Sequence, residues 1–129
     1  MSGGPRLFSI LRQGPHLIAS IHTALDDSQL VRFQQDLVAR IGSDRARGVI
    51  IDVAALDVLD SFASRTLRDI AEMARLRGAV TVIVGIQPDV AFTMVELGMD
   101  TGGVRTALDL EEGLAELDQN IGAPSAPRT

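Results

Sequence analysis

The sequence predicts an α/β domain built around a βαβ unit. Two continuous apolar runs, residues 49–53 and 80–84, have the length and β-branched composition of buried parallel strands. Between them, residues 61–76 carry apolar side chains at helical spacing. The hydrophobic fraction is 46%, yet aromatic residues make up only 3% of the chain, so the core must be largely aliphatic. Such a core is typical of helices layered on a sheet rather than of an aromatic-rich barrel.

The chain length of 129 residues is typical of one domain. We expect this domain to span residues 7–121, between a flexible N-terminus (1–6) and a disordered tail (122–129). No apolar run approaches the ~18 residues that a membrane-spanning helix requires. The first residues also lack the apolar core of a signal peptide. The sequence therefore predicts a soluble, cytoplasmic protein without a membrane partner.

The first half of the domain is predicted to contain a hairpin and a helix. Residues 7–11 and 17–21 are expected to be short strands, joined by a turn at residues 13–15 (QGP). Residues 26–28 (DDS) offer caps for a helix that Gly42 is expected to end. The apolar side chains of this helix recur at helical spacing, at Leu30, Phe33, Leu37 and Ile41.

The second half is predicted to contain three more helices. The helix over residues 61–76 ends at Gly78, and Pro88 is suited to the first position of a short helix. Residues 105–107 form a short edge strand, and residues 109–112 resemble a capping box for the last helix. These elements give a mixed, mainly parallel sheet with about four helices. The apolar positions of the three helices are Ala63, Leu67, Ile70, Ala71 and Ala74; Val90, Met94 and Leu97, closed by Gly98; and Leu114, Leu117 and Ile121.

The residue types exclude several classes of catalytic site. The chain has no Cys, which rules out disulfides, thiolate zinc sites and Cys nucleophiles. Its 12 basic residues are all Arg, so no lysine is present for a P-loop or a Schiff base. A net charge of −5 without a basic block argues against nucleic acid as a partner. His16 and His22 have no acidic cluster beside them, and we interpret them as surface residues rather than metal ligands.

Three carboxylates, Asp52, Asp57 and Asp60, follow the strand at residues 49–53. They are suited to hold Mg²⁺, or they are solvated loop residues that cap the next helix. We favour the second interpretation because no Lys or His completes a catalytic set with them. The sequence therefore predicts a protein that is not an enzyme and has no metal or cofactor. A flavodoxin-like nucleotide-binding enzyme is the alternative that these carboxylates support.

The dipeptide Asp60-Ser61 lies where the loop meets the helix at residues 61–76. Asp and Ser are both preferred helix N-caps, each worth about 1 kcal/mol relative to Ala. If Asp60 caps the helix, Ser61 keeps a free hydroxyl at the carboxyl edge of a parallel sheet, where such folds place functional groups. Phe62 lies off the apolar stripe of the helix. We expect it to be an exposed docking anchor, unless it packs against the neighbouring loop.

Several segments together resemble the STAS domain of anti-sigma factor antagonists, over about residues 7–117. The closest likeness is the stressosome scaffold branch, of the RsbS type. Single-domain antagonists of the sporulation type often carry Asp-Ser-Ser-Gly, whereas this chain has DSFA at residues 60–63, which favours the stressosome branch. The ordered segments that carry the resemblance are LDD (25–27), DSF (60–62), GIQP (85–88), ELG (96–98) and TALDLE (106–111).

The resemblance implies a non-enzymatic phosphorylation switch in a stress-response pathway. Unphosphorylated, the protein is expected to assemble with sensor-bearing paralogues of the RsbR type into a large oligomer and to hold a serine kinase of the RsbT type. Phosphorylation of Ser61 releases the kinase, and a serine phosphatase reverses it. Ser64 and Thr66 are further hydroxyls on the same helix. A sporulation-type anti-anti-sigma factor, which binds an anti-sigma kinase, is the other alternative. We expect the partner-binding residues to be Asp60, Phe62, Ser64, Arg65, Gln87 and Pro88.

Overall fold

Five strands form one mixed sheet in which the strands are ordered as they occur along the chain. The first two strands are antiparallel, and every other neighbouring pair is parallel. The computed structural model describes residues 7–90 and 104–119. Residues 88–90 are also helical. The elements are β1 (Phe8–Gln13), β2 (His16–Ile21), α1 (Asp27–Asp44), β3 (Gly48–Asp52), α2 (Ser61–Leu76), β4 (Val80–Val84), β5 (Arg105–Ala107) and α3 (Leu110–Leu117).

The two faces of the sheet are covered by different helices. Helices α1 and α2 bury their apolar stripes in one cluster with alternate residues of the strands, such as Val49, Ile51 and Ile83. Helix α3 packs on the opposite face, where Leu117 meets Ile50 and its neighbours on β4. Because successive strand side chains point to opposite faces, the continuous apolar runs of β3 and β4 serve both layers. This confirms the predicted α/β architecture with a mainly parallel sheet.

The β1–β2 hairpin turns at Gly14 and Pro15 alone, since Gln13 already belongs to β1 and pairs with His16. Gly14 has a φ of +60°, a conformation that glycine adopts without steric cost. The predicted strands were therefore right in kind, and their bounds shift by one or two residues. Such shifts reflect the weak local signal that separates a turn from a strand end.

Helix α1 begins at the predicted cap. The Asp26 carboxylate accepts the N–H of Gln29 at 2.8 Å, and the Gln29 side chain accepts the N–H of Asp26 at 2.8 Å. This reciprocal pair is a capping box. The N–H of Gln29, followed by the Ser28 hydroxyl, lowers the pKa of Asp26 because both hydrogen bonds favour the charged carboxylate.

The predicted end of α1 at Gly42 is wrong, because the helix continues to Asp44. The left-handed conformation that closes a helix falls on Arg45, with a φ of 53°, and its N–H bonds to the carbonyl of Gly42 at 3.3 Å. An ion pair within the last turn supports the additional residues: Arg40 contacts the Asp44 carboxylate at 3.1 Å. The glycine itself remains helical.

The ends of α2 and α3 follow the predicted signals more closely. After α2, Gly78 has a φ of +85°. The N–H groups of Gly78 and Ala79 then bond to the carbonyls of Arg75 and Ala74, which forms a Schellman motif. At α3, Asp109 accepts the N–H of Glu112 at 2.9 Å.

The predicted capping box at α3 is only half formed. The Glu112 carboxylate accepts the N–H of Leu108 at 2.6 Å, one residue before the cap, and not that of Asp109 itself. Some expectations lie outside the described residues: the segments 1–6 and 122–129, the helix through Met94 and Leu97, and Ile121. Within the described ranges, no helix is both long and apolar enough to cross a bilayer.

Replacing either of two helical glycines, Gly113 in α3 or Gly42 in α1, by alanine is predicted to change the stability of the protein, in opposite directions. A Cβ at Gly113 would lie 2.7 Å from Val84 Cγ1 and 3.3 Å from Ile50 Cδ1. We therefore expect Gly113→Ala to lower the free energy of unfolding by about 1–3 kcal/mol, as overpacked core positions do.

The matched control is Gly42→Ala on the exposed side of α1, where the nearest atom to the new Cβ is Arg77 Nε at 3.4 Å. It should stabilise the protein by roughly 0.5–1 kcal/mol through helix propensity. Urea unfolding followed by circular dichroism compares the two variants. Stabilisation of the protein by Gly113→Ala would contradict the close packing of α3 on β4.

Candidate functional site

The loop between β3 and α2 lies at the carboxyl edge of the sheet. It is tied to the next strand by the N–H of Val53, which donates to the carbonyl of Val84 at 3.0 Å. Its own turns are closed by two further bonds: Ala54 N–H to Asp52 Oδ1 at 2.9 Å, and Leu56 N–H to the carbonyl of Val53 at 2.9 Å. The buried side chains of Val53, Leu56 and Leu59 anchor the loop in the main core.

Asp60 caps α2, as the sequence predicts. Its backbone is extended, with φ −77° and ψ −179°, and its Oδ1 accepts the N–H of Ala63 at 2.8 Å. Ser61 is the first residue of the helix and is exposed. Its hydroxyl makes no hydrogen bond to any residue that the structure describes. The two roles are thus divided: Asp60 satisfies a helix N–H group, and Ser61 presents a free hydroxyl to solvent.

Phe62 is not the exposed anchor that its position off the helical stripe predicts. It is half-buried, and its ring packs against the main core. The alternative was that this side chain packs against the neighbouring loop, and the structure shows it packed against the core cluster. Helical periodicity does not predict this packing, because a large apolar side chain in the first turn of a helix can fold back beneath the loop that precedes the helix.

Ser64 and Thr66 are buried, at 7% and 4% exposure, so neither hydroxyl is at the surface. The Thr66 hydroxyl donates to the carbonyl of Phe62 at 2.8 Å. The buried Ser64 hydroxyl has no partner among the described residues. The expectation that Ser64 contacts a partner therefore does not fit this structure, because Ser64 faces inward beside the apolar stripe. Arg65, between these two residues, is exposed.

The segment after β4 supplies the other predicted residues. Gln87 is half-buried, and its Nε2 donates to the carbonyl of Ala54 in the β3–α2 loop at 3.0 Å. Pro88 is exposed and begins a helical turn, as expected for a proline at a first helical position. The fold thus brings the Gln87 segment against the loop that leads to Ser61, although the two are distant in sequence.

The carboxylates near the site do not form a metal centre within the described ranges, where no group of three potential ligands occurs. Asp52 and Asp60 each accept a local backbone N–H instead. The histidines lie elsewhere. His22 is exposed, with Nε2 3.1 Å from the Ser9 hydroxyl. His16 is only 5% exposed, and its Nε2 lies 3.4 Å from Asp118 Oδ1, so its interpretation as a surface residue is wrong.

Two apolar side chains at the same edge of the sheet were not predicted. Val58, in the β3–α2 loop, is 70% exposed, and Leu108, directly after β5, is 80% exposed. Neither belongs to a helical or strand period, so hydrophobic patterning assigns them no place. The signal that was available is that each follows the carboxyl end of a parallel strand, β3 for Val58 and β5 for Leu108.

Comparison with known proteins places the chain in a family. The model of the STAS domain matches residues 8–113. RsbT co-antagonist protein RsbRA of Bacillus subtilis (strain 168) is 30% identical over 90 residues, which are 70% of this chain and 33% of that protein. RsbT co-antagonist protein RsbRD of the same organism is 27% identical over 95 residues, 61% of this chain and 34% of that protein. The chain thus spans about a third of the length of these curated relatives.

Solved structures of the same family match larger shares of both chains. A serine-to-glutamate variant of RsbS from Moorella thermoacetica is 35% identical, with a TM-score of 0.78 over 88% of this chain and 96% of that one. A chain from the stressosome, described as a signal integration and transduction hub, is 33% identical, with a TM-score of 0.71 over 87% and 97%. The unphosphorylated anti-sigma factor antagonist SpoIIAA, at 14% identity and a TM-score of 0.67 over 88% and 99%, shares the fold. These matches confirm the resemblance to RsbS, and the chain belongs to the STAS domain family.

Proposed function

We propose that this chain is a non-enzymatic stressosome component that holds a serine kinase of the RsbT type and releases it when Ser61 is phosphorylated. The observation that carries the proposal is the exposed hydroxyl of Ser61, without a hydrogen-bond partner in the described chain, beside a capping Asp60. The similarity to RsbS at 35% identity over most of both chains supports it.

In this proposal, the kinase contacts the exposed side chains around Ser61. Asp60, Arg65 and Pro88 remain candidates because all three are exposed. Val58 takes the place expected of Phe62 as the apolar contact, since it is exposed in the loop that precedes α2. Ser64 is set aside as a direct contact because it is buried.

Phosphorylation acts on binding rather than on the fold in this proposal. A phosphate on Ser61 adds about −1.5 to −2 charges at a helix N-terminus, where the helix dipole and free N–H groups favour anions. The carboxylates of Asp60, directly before Ser61, and of Asp57, four residues before it, oppose the added charge. These effects partly offset each other in the free protein. A partner seated over Ser61 would bury the new charge without a counterion, which is costly.

The proposal includes assembly in the cytoplasm with paralogues of the RsbR type, and a serine phosphatase that resets Ser61. The two RsbT co-antagonist relatives support the choice of paralogue, since this chain matches about a third of each. The chain in the stressosome structure, matched over 97% of its length, supports assembly into a large complex. Analytical ultracentrifugation of the protein mixed with such a paralogue tests this: a small complex of fixed size would favour an antagonist that works outside a scaffold.

We expect Ser61→Ala to abolish phosphorylation by the kinase. The assay is incubation with kinase and ATP followed by mass mapping of peptides. Ser28→Ala is the matched control, because Ser28 is also an exposed serine in the first turn of a helix capped by aspartate. It should be phosphorylated as the wild type is. Phosphorylation of Ser61→Ala at the wild-type level would contradict the site assignment.

We expect Asp60→Ala and Ser61→Ala to differ in stability. Loss of the Asp60 cap should lower the free energy of unfolding by about 1 kcal/mol. Ser61→Ala should change it by less than about 0.5 kcal/mol, as exposed positions without a partner do. Chemical unfolding of both variants measures the difference. Equal destabilisation would show that Ser61 shares the capping role.

We expect Ser61→Asp to weaken capture of the kinase by roughly tenfold or more, because a buried charge is left unpaired. Its circular-dichroism spectrum should match that of the wild type. Ser61→Asn is the control, because asparagine has nearly the same size as aspartate but no charge. This variant should retain capture of the kinase. Isothermal titration with the kinase gives both affinities. Loss of helicity in Ser61→Asp would instead indicate that the fold responds to the charge.

A further inference from the structure

We propose that Gln87 is a positioning residue for Ser61. Together with Gly85 it clamps the β3–α2 loop through Ala54, so that the start of α2 is held in one place. The consequence for signalling rests on the function proposed above, whereas the clamp itself is a property of the free protein. This role differs from the direct partner contact that the sequence resemblance led us to expect for Gln87.

The first contact of the clamp is a hydrogen bond between loops that are far apart in sequence. Gln87 Nε2 donates to the carbonyl of Ala54 at 3.0 Å. The carbonyl of Ala54 belongs to no helix or strand ladder, so a side-chain donor satisfies an acceptor that would otherwise depend on water. The Ala54 N–H is occupied as well, by Asp52 Oδ1 at 2.9 Å. The two peptide groups that flank the Ala54 Cα are therefore each held by a hydrogen bond.

The second contact is steric. Gly85 has a φ of +82°, and a Cβ placed there would lie 2.8 Å from Ala54 Cβ and 3.0 Å from its backbone nitrogen and Cα. The two loops thus touch backbone to backbone, at a distance that only glycine permits. Any side chain at residue 85 would push Ala54 away and lengthen the Gln87 hydrogen bond.

The segment that carries Gln87 is itself anchored, which makes it a support rather than a flexible arm. Gly85 N–H donates to the carbonyl of Ala107 at the end of β5, at 3.3 Å. Val90, three residues after Gln87, is 4% exposed and lies in the main core. The clamp therefore connects the β3–α2 loop to β4, to β5 and to the helical turn that begins at Pro88.

From Ala54, the constraint reaches Ser61 along the loop. The N–H of Leu56 bonds to the carbonyl of Val53 at 2.9 Å, and the buried Leu56 and Leu59 side chains fix the two halves of the loop. Asp60 follows Leu59 directly and holds the Ala63 N–H at 2.8 Å. A loosened Ala54 should accordingly raise the opening rate of this loop and of the cap beyond it.

Amide hydrogen exchange of the free, full-length protein, measured by NMR, tests the clamp without any partner. Gln87→Met keeps the length of the side chain and removes the donor. We expect the amides of Ala54, Leu56 and Ala63 to exchange about fivefold faster, the factor expected for one lost hydrogen bond. Gln87→Lys keeps a donor and should restore protection.

Two comparisons make this test specific. The amide of Gln29, held by the equivalent cap of α1, should be unchanged. Gln35→Met, at an exposed glutamine of α1, should leave all of these amides unchanged. Gly85→Ala should reproduce the faster exchange, and adding Gln87→Met to it should have little further effect because both act on Ala54. Unchanged loop exchange in both Gln87→Met and Gly85→Ala would overturn the clamp.

Phosphorylation then separates positioning from partner contact. With the kinase and ATP, Ser61 of the Gln87→Met variant should be phosphorylated several-fold more slowly than Ser61 of the wild type, and Gln87→Lys should recover the wild-type rate. Weaker kinase capture with unchanged exchange would show that Gln87 touches the partner directly, which overturns the positioning role. Failure of the kinase to modify wild-type Ser61 would overturn the proposed function and leave the exchange result to decide the clamp.

Discussion

The place of Ser61 depends on the parallel pairing of β3 with a strand on each side. β3 pairs with β2 and with β4 along its whole length, and four of its five residues are buried. Parallel strands end at the same edge of a sheet, and the chain must return through a helix. The loop after Asp52 therefore emerges at the carboxyl edge and leads into α2, with the amino end of that helix at the same edge. A serine at the start of α2 is placed there by the topology of the sheet.

The hydrogen bonds of the loop explain why the fold does not need the hydroxyl of that serine. The N–H groups of Val53, Ala54, Leu56 and Ala63 have protein acceptors, supplied by the neighbouring strand, by the loop and by two carboxylates. The backbone at this point thus needs no help from the Ser61 hydroxyl. Buried polar groups are nearly always paired in native proteins, so a loop that is satisfied by other residues is what allows an exposed hydroxyl to serve a different purpose.

The sequence predicted those features that depend on local chemistry. The Asp60 cap, the Asp26 cap and the turn at Gly78 all follow from side chains or backbone conformations that act within a few residues. The end of α1 is an exception, because other local interactions outweigh the glycine there. Gly42 remains helical because the turn beyond it is supported by its own ion pair and by the conformation of Arg45.

The predictions for the residues around Ser61 failed where they depend on tertiary packing. Periodicity in apolar residues defined the buried face of α2 too narrowly, since Ser64 and Thr66 are small enough to be buried beside it. Thr66 does so by bonding to the carbonyl one turn earlier. The contact between Gln87 and Ala54 joins two loops through the sheet order, and no local pattern contains that information. The exposure of an apolar loop residue such as Val58 can be read only from the folded structure.

The division between Asp60 and Ser61 has a consequence for how a signal can be read. If the hydroxyl of Ser61 capped α2, adding phosphate would have to replace a hydrogen bond of the fold, and phosphorylation would be coupled to helix stability. Because Asp60 holds the Ala63 N–H, that coupling is removed. The added charge then alters the surface while the helix keeps its cap, so the two states of the proposed switch differ mainly in what they present to a partner. In the proposed switch, the state of Ser61 is therefore read through binding, at a surface that the fold does not have to rearrange.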